Sequence, residues 1–142
     1  MFQELSQIIE KGKKQVSTQI NSTLTMVYWQ VGHRINHDVL KNQRAKYGKE
    51  LISNVSKKLV SAYGRSFAEK NLRRMMRFAH TFSDFSIVPT VSAQLSWSHF
   101  LEIIPIANEK TRIYYAQKSS TERWSVRETR RQIEQKLLRD KK

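Results

Sequence analysis

Metal-dependent hydrolysis of a phosphodiester needs carboxylates gathered around a divalent cation. The twelve acidic residues of this 142-residue chain are scattered instead. Glu134-Gln135-Lys136 spells E-x-K, but in a helical segment with no acidic strand residue ahead of it, so its spacing reads as chance. His33 and His37 stand at i and i+4 with Asp38 alongside, which puts two imidazoles on one helix face. A zinc centre needs a third positioned ligand, and the sequence offers none. The chain has no Cys, which removes disulfides, thiolate zinc sites and a thiol nucleophile together. Neither a Gly-rich phosphate loop nor a G-x-S-x-G elbow occurs. The expectation is therefore no catalytic residue, no cofactor and no metal.

Charge says more. The net charge is +14, and it is segregated. Residues 1–40 carry +1, residues 41–82 carry +9, residues 83–109 carry −3 without a single Lys or Arg, and residues 110–142 carry +7. Two basic segments flanking an acidic one point to a polyanionic partner; the alternative is a generic solvated basic surface. No basic segment followed by an apolar run opens the chain, and no apolar stretch approaches the ~20 residues that span a bilayer. A cytoplasmic protein with no membrane partner is expected.

The elements that carry this charge read as helices. Only four Gly and two Pro punctuate the sequence, too few for a turn-rich sheet protein, and 39% hydrophobic content suffices for a core. The reading is one all-α domain over residues 1–142. From Leu5 to Leu40 apolar residues recur at three- and four-residue steps, predicting one long helix over about 3–41 that Gly12 could interrupt. Its stripe is buried by later helices or pairs two copies of the chain as a homodimer. Helices follow at 49–63 and 67–82, joined by Gly64-Arg65-Ser66. Gly64 supplies the left-handed end, and Ser66 with Glu69 forms a capping box. Further helices occupy about 91–139, including a segment around Val91–Leu95, one capped by Asn108 and a last one opened by a box of Ser125 and Glu128.

The pair spanning 49–82 has the layout of a helix-turn-helix whose second helix reads DNA. Ala68, Leu72, Met75, Met76, Ala79 and Phe82 gather on one side of that helix, and Lys70, Arg73, Arg74 and Arg77 on the other. Long cations there can meet phosphate oxygens and, for Arg, the O6/N7 edge of guanine. Lys57, Lys58 and Arg65 add to the patch, with the helix N-terminus as a further phosphate donor, and Arg127 and Arg131 serve as secondary contacts. The competing account is an ordinary helical hairpin with a solvated basic face. Trp29, Trp97, Trp124, Tyr114 and Tyr115 could stack on exposed bases, but core packing accounts for them better.

Several separated motifs carry a resemblance: Tyr28-Trp29-Gln30-Val31-Gly32-His33-Arg34-Ile35, Tyr47-Gly48, Tyr63-Gly64-Arg65-Ser66-Phe67, Asn71-Leu72, Leu95-Ser96-Trp97-Ser98-His99-Phe100 and Trp124-Ser125-Val126-Arg127-Glu128. In this order they resemble the N-terminal domain of the YhcG-type family across nearly the whole chain. The resemblance implies a helical, winged-helix-like domain that family members pair with a C-terminal nuclease domain of the PD-(D/E)XK type. It also implies a second helix-turn-helix element over Leu95–Ile104, opening at Ser96. By this resemblance the chain is a DNA-binding half, not catalytic on its own; the alternative is a dimerisation or protein-interaction module that recruits a nuclease.

Overall fold

The computed structural model describes residues 1–14, 20–42, 44–83, 88 and 95–140. Seven α-helices occur among them: α1 (Phe2–Lys14), α2 (Ile20–Asn42), α3 (Ala45–Tyr63), α4 (Glu69–Thr81), α5 (Trp97–Ile103), α6 (Glu109–Thr121) and α7 (Val126–Asp140). A short 3-10 turn, Arg65–Phe67, links α3 to α4. The all-α expectation holds. No strand, and so no β-wing, occurs among the described residues, which leaves the winged-helix part of the expectation without support. The segment expected around Val91–Leu95 lies outside them except for Leu95, which is buried.

The single helix expected over about 3–41 is two helices. Glu4 and Arg34 would stand about 45 Å apart on one continuous helix, yet the Arg34 guanidinium donates to both Glu4 carboxylate oxygens, at 2.6 and 3.2 Å, and to Asp38 at 2.7 Å. Lys11 and Thr23 border one cavity at the other end, so α1 lies antiparallel on α2. Gly12 lies within α1, which runs on to Lys14. Periodicity misled here because two helices folded against one another keep the same stripe as one. Leu5, Ile9, Val27, Val31 and Ile35 are buried within the chain, so that part of the stripe is covered by its own helices.

Two apolar clusters make the core. One gathers α1, α2 and α3 with Phe67, Leu72 and Met75; the other gathers Trp29, Phe78, Phe82, Val88 and Leu95 with α5 and α6. Trp97 bridges them, its ring 5.1 Å from Tyr28 and 5.3 Å from Phe78, centroid to centroid. Trp29 is buried, and Trp97 and Trp124 are partly so, as expected of core aromatics.

Caps follow the sequence in part. Gly64 has φ 103° and ψ −174°, a conformation that favours glycine, and it ends α3. The box expected of Ser66 and Glu69 does not form: Ser66 lies inside the 3-10 turn, and Ala68 precedes α4 without a side-chain cap. The reason is Phe67. Its ring is buried beside Tyr28 and Tyr63, and Ser56 in mid-α3 donates to its carbonyl at 3.0 Å. Seating Phe67 this way makes residues 65–67 a separate turn. Ser66 instead partners the Tyr28 hydroxyl; burial pushes that phenol up, and the Ser66 bond partly offsets the rise.

Ser96 opens α5, its hydroxyl accepting from the His99 amide while the His99 ring accepts from the Ser96 amide at 3.0 Å. His99 also reaches the Trp124 carbonyl at 2.7 Å, which fixes the α6–α7 turn to the start of α5. Asn108 caps α6 as expected, at 2.9 Å from the Thr111 amide. Buried Arg112 ties α6 to the end of α4, donating to Ile106 O at 2.6 Å and Thr81 O at 3.4 Å. Among the described residues no helix is long and apolar enough to cross a membrane.

At α7 half of the expected box forms. The Glu128 amide donates to Ser125 Oγ at 3.0 Å, but the Glu128 carboxylate turns away to accept from Arg131 at 2.9 Å and Gln132 at 2.8 Å. Hydrogen bonding to Arg131, then to Gln132, holds its pKa down at about 2. A depressed carboxylate favours the folded state above its unfolded value near 4.5, and that contribution is lost as pH falls toward 2. Carboxyl NMR should give a Glu128 midpoint near 2. Glu128→Gln should flatten the acid dependence of stability across that window; an ordinary midpoint would mean that the Arg131 contact is not kept in solution.

Candidate nucleic-acid interface

The inner face of α4 is held to α2 both by hydrogen bonds to main-chain carbonyls and by side-chain packing. Trp29 Nε1 donates to Phe82 O at 2.7 Å, and Asn36 Nδ2 donates to Met76 O at 2.8 Å. Between them Gly32 meets the α4 backbone so closely that a Cβ built on it would stand 2.0 Å from Met75 O. Leu72, Met75 and Phe78 are fully buried on this side. The stripe read from sequence is correct in its main line, with Phe78 as an added member and Ala68 and Met76 only half-buried.

The outer face carries Lys70, Arg73, Arg74 and Arg77, all exposed. Arg73 reaches Glu69 at 3.3 Å and Arg74 reaches Asn71 at 3.2 Å. Exposed pairs within one helix are worth about 0–1 kcal/mol, so both side chains remain free to turn to a stronger anion. Lys70 and Arg77 form no ion pair among the described residues. The helix N-terminus is less suited to phosphate than the sequence suggested, because Glu69 occupies its first turn.

Lys57, Lys58 and Arg65 are exposed at the α3–α4 corner. Lys57 projects opposite the buried line of Gly48, Ile52, Val55 and Leu59, and Lys58 lies on its flank. Arg127 is exposed at the start of α7, whereas Arg131 already forms a two-bond pair with Glu128. Both stand on α7, which packs chiefly on α5 and α6. The Leu95–Ile104 element forms as a capped helix, but His99, Phe100 and Ile103 face the core.

Arg44 and Lys49 were overlooked. With Arg73 they line one depression of about 440 Å³ floored by Val39, Ile52 and Met76, so the cations of α4 continue onto the α2–α3 corner. The signal was present in Tyr47-Gly48: buried Gly48 lies against the Val39 side chain, which brings the start of α3 to the end of α2. No group of three His, Cys, Asp or Glu able to hold a metal occurs among the described residues. His33 stacks on Trp29 at 4.7 Å between ring centroids.

The chain is 26% identical to a protein of Escherichia coli (strain K12) named "Putative nuclease YhcG", over 89% of this chain and 42% of that protein. It thus spans less than half the length of this relative. No solved structure matches it. Residues 4–140 match the family described as the DUF1016 N-terminal domain, and the chain belongs to that family.

Proposed function

We propose that the chain binds duplex DNA, with Lys70, Arg73, Arg74 and Arg77 on α4 as the principal contacts. Lys57, Lys58 and Arg65 extend the footprint along the α3–α4 corner, and Arg127 and Arg131 are secondary. The observation that carries this reading is a helix whose inner face is bonded to α2 while its outer face presents four exposed cations. Such a helix can enter a groove without giving up its packing. The chain itself is not catalytic; in a longer nuclease of the kind named by its relative, it holds the substrate.

The test is a salt titration of binding to a labelled DNA duplex. Six to nine phosphate contacts at about 0.9 each give a slope of log K against log salt between about −5 and −8. Absence of duplex binding at ~50 mM salt overturns the proposal. Tighter binding to an RNA duplex reassigns the partner, and magnesium-dependent cleavage by this chain overturns its non-catalytic part.

A further inference from the structure

We infer that the α6–α7 surface around Tyr114 is a second nucleic-acid site, one that takes an unpaired base by stacking. Tyr114 is 53% exposed, the one exposed Phe, Tyr or Trp side chain among the described residues. Buried Tyr115 meets it edge to face, with centroids 5.1 Å apart at 86°, and so fixes its orientation while over half of it stays open.

Lys110, one turn earlier on α6, and Lys136, from α7, line the same depression of about 320 Å³ as Tyr114. Neither lysine pairs with a carboxylate among the residues whose side chains are described. The depression shares Thr111, Tyr115 and Lys136 with an adjoining, mainly apolar groove of about 540 Å³ rimmed by Leu137, itself 56% exposed. Glu134 lines that groove too, and Lys118 one turn beyond Tyr114 is engaged by Glu122 at 3.3 Å. The depression itself has two cations and no acid among its lining residues.

An open ring, two lysines and an apolar floor correspond to the base, phosphate and sugar of a nucleotide. A base inside a duplex shows only its edges, so the ligand is a single-stranded segment such as a tail, gap or fork. The charge selects this polyanion over an apolar protein helix.

This inference shares its partner class with the duplex proposal but rests on different residues, and the two can fail separately. Three labelled ligands distinguish them by fluorescence anisotropy: a blunt duplex, the same duplex with a thymidine tail of about ten nucleotides, and the free tail strand. The tailed duplex should bind more tightly than the blunt one. Tyr114→Ala should weaken tailed and free-strand binding about 10-fold, leaving the blunt duplex unchanged, and Tyr114→Phe should retain binding. Lys110→Ala combined with Lys136→Ala should flatten the free-strand salt slope by about 1.4. Equal affinity for tailed and blunt duplexes, or a Tyr114→Ala chain of native melting behaviour that keeps the native preference, overturns this site alone. Free-strand binding without duplex binding overturns the α4 proposal and leaves this one standing.

Discussion

Replacing Arg73, Arg74 and Arg77 together by Ala should weaken duplex binding by two to three orders of magnitude at ~0.1 M salt and flatten the salt slope by about 2.7. Both figures follow from counterion release: each neutralised phosphate contributes about 0.9 to the slope, and so about 0.9 log unit of affinity at that salt. The fold should survive, since all three side chains are exposed and engage only local surface partners. A thermal melt within a few degrees of native would confirm that. Single replacements should each give about a third of the slope change. Arg77→Lys should keep the slope while losing any two-bond contact with guanine, because an ammonium cannot reproduce the guanidinium fork. Unchanged affinity and slope in the triple variant would remove α4 from the interface.

The α4 face was legible in the sequence because it depends on one helix alone. Four cations and a three-to-four-residue apolar rhythm define its two sides wherever the helix is placed. What rests on distant partners could not be read this way. The end of α1 was hidden because an apolar stripe does not record whether its helix continues or turns back; the Glu4–Arg34 pair does, across thirty positions. The cap at Ser66 was read from a local pattern that the burial of Phe67 overrode. Arg44 and Lys49 come beside Arg73 only through the α2–α3 corner, which no single-helix pattern records. Tyr114 was grouped with the core aromatics, although Lys110 and Lys118 at i−4 and i+4 already marked its side of α6 as solvent-facing.

Gly32→Ala should cost about 3 kcal/mol or more and lower the melting temperature by about 10 °C. The added methyl group would meet the Met75 carbonyl oxygen, its carbon and the Met76 nitrogen, at 2.0, 2.4 and 2.8 Å. All three are backbone atoms, so no rotamer change relieves the clash, and α2 and α4 must part. Parting them strains the Trp29 and Asn36 hydrogen bonds on either side and opens the packing of Met75. Gly32→Ala should therefore weaken duplex binding too, although Gly32 lies away from the cationic surface, and ligand excess should restore part of the lost melting temperature. Gln30→Ala, at an exposed position two residues earlier, should leave both unchanged. Native melting of Gly32→Ala would mean that the two backbones do not meet in solution.

The Trp29, Gly32 and Asn36 contacts also act as gear teeth. They engage α4 at fixed intervals along α2, with seven residues from Trp29 to Asn36, two turns of helix. One residue inserted within that interval would rotate everything beyond it by about 100°, so Trp29 and Asn36 could no longer mesh with α4 together. Exchanging a solvent-facing residue in the interval leaves the meshing intact. Descendants of this sequence are thus free to change the letters between Trp29 and Asn36 on the outer side, but not their number.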